Sequence, residues 1–239
     1  LAEDNRWGFF PGMSAGWNIH NEPFFSSSAI SNTLSTIKPR ISYGVNGNVA
    51  GIGSYEVQGA YGAQGNYNGS LGFLNTGVIN GGLRWEKSKT LDIGLDLGLF
   101  RDRISLIFDY FNRETSDLLT NLTLPSYTGF SSIRTNLGTF QNQGLEFAVN
   151  ANVLRTQSGL SLDVSANLSK ISNKILELPF NGNENNRQGG FQIYDPAQGK
   201  VIWVTGLQEG QTLGEVYAFK QVSIFQTAEE VLRIAGRRY

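Results

Sequence analysis

The stretch Thr90-Leu91-Asp92-Ile93-Gly94-Leu95-Asp96-Leu97-Gly98-Leu99 decides the fold. Five aliphatic residues at odd positions share one side of an extended chain, and the small and acidic residues between them share the other. A two-residue period is a strand signature, because successive Cβ atoms point to opposite faces of a sheet. The pattern recurs where Leu145, Phe147, Val149, Ala151 and Val153 oppose Gly144, Glu146, Ala148, Asn150 and Asn152. It recurs again where Leu160, Leu162, Val164, Ala166 and Leu168 oppose Ser161, Asp163, Ser165, Asn167 and Ser169. Ile37, Pro39, Ile41, Tyr43 and Val45 form a further stripe, and so do Ile104, Leu106, Phe108 and Tyr110, with Ile107 and Phe111 spoiling the polar side of the latter.

The reading expects seven strands, at 6–18, 37–46, 86–99, 104–112, 136–154, 160–170 and 213–225, separated by long loops at 47–85, 113–135 and 171–212. Pro11 is awkward in the first strand, because it has no N–H for a ladder. Ser28 is placed to cap a short helix carrying Ile30, Leu34 and Ile37, and Thr227-Ala228-Glu229-Glu230 has capping-box spacing for another. The connections are lopsided. Phe100-Arg101-Asp102-Arg103 and Arg155 to Gly159 are tight turns at one end of the strands, whereas the three long loops lie at the other. Short turns on one side and long loops on the other describe an outer-membrane β-barrel, with the turns facing the periplasm. The link 19–36 falls on the short-turn side and is the one misfit.

Composition fits this reading. The 239 residues include 29 glycines, 12% aromatic residues and only 16% charged residues, enough for one large domain with many turns. A formal net charge of −1 with scattered lysines and arginines argues against a nucleic-acid surface. The absence of cysteine rules out disulfides and thiolate metal sites. No apolar run is long enough for a transmembrane helix, and a mean hydropathy of −0.22 suits a barrel whose alternate residues face a wet lumen. No signal peptide is present, and a chain that opens one step before a strand-like stretch reads as cut at its N-terminus.

Alternation does not say which way the apolar stripes face. A soluble β-sandwich binding module would bury Leu95, Phe147 and Val164 against a second sheet. A membrane barrel would leave them on its outer surface. Strand length favours the barrel, since a tilted strand needs about 9–11 residues to cross a bilayer and strands in soluble proteins average about 5–6. Aromatic residues near strand ends (Trp7, Phe9, Trp17, Trp85, Phe100, Tyr110) suit interfacial girdles. Lys38, Arg40, Asp92, Asp96, Glu146 and Asp163 on the opposite sides suit a water-filled interior.

Several segments resemble the SusC/RagA family of TonB-dependent outer-membrane transporters. Asn5-Arg6-Trp7-Gly8-Phe9-Phe10-Pro11 followed by Ser14-Ala15-Gly16-Trp17 is similar to a hallmark strand of that family. So are Pro39-Arg40-Ile41-Ser42-Tyr43-Gly44-Val45-Asn46-Gly47-Asn48, Leu83-Arg84-Trp85-Glu86 and Gly94-Leu95-Asp96-Leu97-Gly98-Leu99-Phe100. Asp109-Tyr110-Phe111, Thr128-Gly129-Phe130, Asn142-Gln143-Gly144-Leu145-Glu146 and Ile224-Phe225-Gln226-Thr227-Ala228-Glu229-Glu230 continue the likeness in family order. The resemblance implies an all-β chain, part of a 22-stranded antiparallel transmembrane barrel with an N-terminal plug, in the outer membrane of a Bacteroidetes-like Gram-negative cell. It implies import of oligosaccharides or peptides, a SusD-like surface lipoprotein as partner, energy from the TonB complex and contact with outer-membrane lipid. Signal peptide, TonB-contacting segment, plug, earlier strands and closing strands would lie outside this chain, and seven strands do not close such a lumen. A siderophore or vitamin receptor of the same barrel size is the nearest rival.

Residues that might suggest chemistry have ordinary readings. His20 is the only histidine, which excludes a multi-histidine metal site and most histidine-based triads. Asp92 and Asp96 share a face, but four residues along a strand separate their Cα atoms by roughly 13 Å, beyond glycosidase spacing. Asn68-Gly69-Ser70, Asn121-Leu122-Thr123 and Asn167-Leu168-Ser169 match a glycosylation sequon that bacterial surface proteins seldom use. The Gly-rich stretch 44–53 lacks a phosphate-loop ending. Tyr239 has Arg237 and Arg233 at its alternate positions, where a lipid-facing stripe would be apolar. Tyr55, Tyr61, Tyr67, Phe73, Tyr194 and Trp203 in the long loops are of a kind that stacks on sugar rings, packs a loop or meets a lid protein. The expectation is no catalysis, no cofactor, no metal and an unknown substrate site.

Overall fold

The computed structural model describes residues 1, 3–53, 55–156, 159–195, 198–215 and 218. Its strands, in chain order, are β1 (Gly12–Gly16), β2 (Leu34–Asn48), β3 (Tyr61–Tyr67), β4 (Ser70–Asn75), β5 (Glu86–Leu99), β6 (Ile104–Ser116), β7 (Leu119–Thr123), β8 (Ser132–Asn136), β9 (Thr139–Arg155), β10 (Ser161–Glu177), β11 (Phe191–Asp195) and β12 (Lys200–Val204). Six of them form one sheet in the order β1-β2-β5-β6-β9-β10, with every neighbouring pair antiparallel. The pairs β3–β4, β7–β8 and β11–β12 are separate two-stranded hairpins. The chain divides into two compact units, and β11–β12 belongs to the second, which comprises residues 189–206 and 214–239.

Most wall strands outrun the stripes that announce them. β2 runs to Asn48 opposite Glu86, and β6 to Ser116 opposite Lys87. Polar cross-strand pairs hold these extensions: Ser88 and Thr115 share a hydroxyl hydrogen bond of 2.8 Å, and Arg113 Nε donates to Thr90 Oγ1 at 3.3 Å. Hydrogen bonding sets the strand, whereas apolar alternation reports only the part that meets an apolar medium. β10 likewise reaches Glu177 rather than 170, and Val153 of its partner β9 bulges out of the register. β9 starts at Thr139 rather than 136, because Gly138 (φ +94°) breaks the chain between it and Asn136, the last residue of β8.

β1 is shorter than expected. Pro11 contributes only its carbonyl, which accepts from Val45 N–H at 2.9 Å. The residues before it turn to pack instead: Phe10 meets Trp85 edge to face at 5.3 Å, and its ring lies over Gly47, where any Cβ would collide with it. The region of the expected Ser28-capped helix holds a short 3-10 turn, Ala29–Asn32, whose Ser28 makes no capping side-chain bond. Leu34 and Ile37 belong to β2. The sequence expected loops at 47–85, 113–135 and 171–212, but each contains a hairpin. The strand expected over 213–225 lies outside the described residues but for its first positions, which form a turn, and the helix at Thr227–Glu230 and terminal Tyr239 lie outside them entirely.

The link between β1 and β2 does sit at the tight-turn end. Phe100 N–H donates to Thr33 O at 2.7 Å, and Asp102 Oδ1 accepts from Ser35 Oγ at 2.8 Å and Thr36 Oγ1 at 2.9 Å. Phe100, Arg101 and Asp102 all have φ near +60°, a region unfavourable for residues other than glycine, asparagine and aspartate. The Asp102 hydrogen bonds help hold that turn against β2.

Candidate functional site

The register places Lys38, Arg40, Asp92, Asp96, Glu146 and Asp163 on one face of the sheet. Arg40 of β2, Gly94 of β5, Asp109 of β6, Glu146 of β9 and Ser169 of β10 are level. Arg40 spans the gap between carboxylates on two other strands, with Nη2 2.6 Å from Asp109 Oδ1 and Nε 3.2 Å from Asp96 Oδ1. Gly94 is needed beneath it: a Cβ there would stand 2.5 Å from both the guanidinium carbon and Asp109 Oδ1. Ser42 donates to Asp92 at 3.3 Å and Asn152 to Asp163 at 2.6 Å. Phe111, which spoils the polar alternation, lies over Gly144, whose missing side chain makes room for the ring. The Arg40 cluster is a quarter to a third exposed, so each ion pair contributes about 1 kcal/mol or less. It is a partly exposed charged wall.

Among the described residues, no second layer covers the other face. Ile41, Ile93, Phe108, Leu145, Val164 and Leu168 are 42–71% exposed, and only Phe25, Leu83, Ile175 and Val204 are buried apolar residues among those described. Phe108 and Phe147 touch each other at 4.7 Å across neighbouring strands rather than an opposing sheet. The alternative of a soluble β-sandwich therefore fails.

The apolar stripes are also offset in a regular way. Leu168 of β10 is level with Phe147, Phe108, Leu95 and Pro39. Towards the long loops, Leu168 is the last apolar residue of its stripe, and Lys170 follows. The stripe continues two residues further on β9 (Leu145) and β6 (Tyr110), four on β5 (Leu91) and six on β2 (Val45). Six residues over four inter-strand steps, at about 3.3 Å rise and about 4.8 Å spacing, slope at about 45° to the strands. A level apolar slab crossed by tilted strands produces that slope, and barrel strands in membranes tilt by about 35–45°.

At the loop end, a cavity of about 480 Å³ lies between the 47–85 segment and the β7–β8 hairpin, with Tyr55, Glu56, Asn80, Asn121 and Arg134 among its walls. Arg134 Nε is 3.6 Å from Glu56, and Asn80 donates to the Arg134 carbonyl at 2.8 Å. Beside it, buried Asn136 accepts from Arg84 N–H at 2.8 Å and donates to the carbonyls of Arg84 and Asp117 at 2.7 and 2.9 Å. Arg84 pairs with Asp117 at 2.5 Å, which raises the guanidinium pKa further. Of the aromatic loop residues, only Tyr55 lines this cavity. Tyr61 and Phe73 are exposed on β3–β4, and Tyr194 and Trp203 lie in the second unit. Sequence reasoning passed over Glu56, Asn80 and Arg134, which only the tertiary structure brings together.

His20 serves the backbone: Ile37 N–H donates to its Nδ1 at 3.3 Å. Asp92 and Asp96 have separate partners, Ser42 and Arg40, and do not act as a pair.

An antiparallel wall with a sloping apolar band outside and charges inside is a segment of a membrane-spanning β-barrel. The family model described as TonB dependent receptor-like, beta-barrel, matches residues 2–217, and the chain belongs to that family. TonB-dependent receptor P3 of Formosa agariphila is 34% identical over 232 residues, covering 95% of this chain and 22% of that protein. TonB-dependent receptor SusC of Bacteroides thetaiotaomicron is 34% identical over 188 residues, covering 74% of this chain and 18% of the relative. A structure of the RagAB peptide transporter superposes with a TM-score of 0.70 at 25% identity, over 88% of this chain and 21% of that one. The RagAB peptide importer in its closed-closed state gives 0.71 at 26% identity. The chain thus spans about a fifth of the length of these relatives.

Proposed function

We propose that this chain is wall from an outer-membrane active transporter that imports oligosaccharides or peptides, is energised through TonB and works with a SusD-like surface lipoprotein. The observation that carries the membrane part is the sloping apolar band, since a soluble protein has no reason to leave such a band uncovered and in register with strand tilt. In this reading Arg40, Asp96, Asp109 and Glu146 line the water-filled interior, and the β3–β4 and β7–β8 hairpins stand at the outer surface. The likeness to the RagAB peptide importer supports peptides as cargo, and the likeness to the TonB-dependent receptor SusC supports the coupling to TonB.

Two measurements on the full-length protein test this. A protease site inserted at Asn68-Gly69 is expected to be cut in intact cells, whereas one inserted in the Phe100–Arg103 turn is cut only after the outer membrane is opened. The reverse pattern inverts the orientation. Uptake of labelled peptide and labelled oligosaccharide by cells with and without the gene reports the cargo, and uptake that persists without TonB overturns the transport mechanism.

A further inference from the structure

Two adjoining cavities on the outward face form a seat with opposite chemistry at its two ends. The lower one, about 500 Å³, is a groove between the aliphatic and aromatic ridges of β5, β6, β9 and β10, with Leu95, Phe108, Leu145, Phe147 and Leu168 among its walls. Lys170 lines its edge on the loop side. The upper one, about 320 Å³, has a polar lining that includes Gln141, Gln143, Ser172 and Lys174. Gln143 and Ser172 face each other in the register one outward step above the Leu145–Lys170 pair, so Lys170 sits at the junction.

Among the described residues, no acidic side chain stands beside that charge in the ladder. Lys89, at the corresponding edge of the band on β5, stands opposite Glu114. Lys170 stands opposite Leu145, whose next neighbour in the row is Tyr110, and it is in none of the ion pairs among the described residues. An ammonium at the rim of an apolar groove, with amide and hydroxyl donors just above, matches a phosphate joined to a hydrocarbon chain. We infer that this face seats a phosphorylated lipid of the loop-side leaflet, with an acyl chain in the groove and its phosphate on Lys170, Gln143 and Ser172. Because that leaflet in an outer membrane is built of phosphorylated glycolipid, the occupant is a lipid A-type molecule. This assignment rests on the orientation in the proposed function, which the protease-site experiment tests independently.

The test uses purified full-length protein in detergent, mixed with diphosphorylated lipid A or with the same lipid stripped of phosphate, and bound lipid is counted by native mass spectrometry. Lys170→Gln and Lys170→Glu are expected to lower retention of diphosphorylated lipid A by about fivefold or more, the size of one lysine–headgroup attraction. The stripped lipid should bind the unaltered protein as weakly as the intact lipid binds those variants. Lys87→Gln, higher on β5 and outside both cavities, should retain lipid like the unaltered protein. Lys170→Gln keeps a polar side chain, one atom shorter and without the charge, and circular dichroism of the same sample reports that the barrel is folded. Equal retention of the two lipids by the unaltered protein, or unchanged retention in a folded Lys170→Gln, overturns the assignment. A cross-link from Lys170 to another protein in intact membranes also overturns it, by giving the groove a different occupant.

Discussion

On one face of the wall, Arg40 reaches across Gly94 to two carboxylates, Ser42 answers Asp92 and Asn152 answers Asp163. On the other, Leu95, Phe108 and Leu168 stand in one ladder row, and Phe108 and Leu168 are 42% and 71% exposed, with no layer above them among the described residues. The backbone hydrogen bonds are common to both faces, so they do not distinguish them. The distinction lies in what each side chain needs as a solvent. The polar face meets its needs with neighbours and water, whereas the apolar face is stable only against hydrocarbon, where its exposure costs nothing.

The largest effect that would break this contrast is a charge on the apolar face. Leu95→Arg and Val149→Arg, at the middle of their stripes, should each lower stability by about 2–4 kcal/mol, measured by denaturant unfolding of the full-length protein folded into lipid vesicles. Next comes Gly94→Ala, which forces Arg40 off its carboxylates by steric contact and should cost about 1–3 kcal/mol in the same assay. Arg40→Ala leaves Asp96 and Asp109 without their shared cation but open to water, and about 1 kcal/mol is expected. Asp96→Asn and Asn150→Asp should change stability by no more than about 0.5 kcal/mol, since Asp109 keeps Arg40 and Asn150 faces water. Equal losses from the Leu95 and Asp96 variants would erase the difference between the faces.

The smallest effect is one of pH and lies away from the wall. Glu209 accepts from the Asn186 side chain at 2.7 Å and from Leu178 N–H at 3.0 Å, and these bonds hold its pKa below the usual carboxylate value. A depressed carboxylate supports the fold above its unfolded-state pKa and loses that support as pH falls through the folded-state value. Protection of the Leu178 amide from hydrogen exchange, taken against the intrinsic rate at each pH, should therefore hold through neutral and mildly acidic pH and fall once the solution drops below the ordinary glutamate range. The Leu95 row should show no such dependence.

How far this was legible in the sequence differs by region. The stripes around Leu95, Phe147 and Val164 name their own faces, and the turn at Phe100–Arg103 fixes the β5–β6 register, because only one pairing joins Leu99 to Ile104. The β2–β5 register is not readable, since the whole 47–85 segment intervenes. Arg40, Asp96 and Asp109 therefore look unrelated until the ladder sets them side by side. The strand ends past Asn46 and Asn112 carry no signal because polar pairs hold them, and periodicity registers only apolar stripes. The β3–β4 hairpin did leave a signal in Asn68-Gly69, whose φ values of +48° and +81° suit a tight two-residue turn. The β7–β8 hairpin left less, a single Gly129 with φ +77°.

The slope of the apolar band has a consequence for how such a wall tolerates change along its length. Inserting two residues into β9 preserves the parity of its side chains, so each still looks the way it did. The insertion nonetheless slides one part of the strand past its neighbours by about 7 Å, enough to push Gln143 down among the acyl chains or lift Phe147 out of them. Inside versus outside is written in odd and even positions, while depth is written separately, in how far each strand is shifted against the next. Length variation in this wall is therefore expected to collect in the hairpins that cap it, where neither code applies.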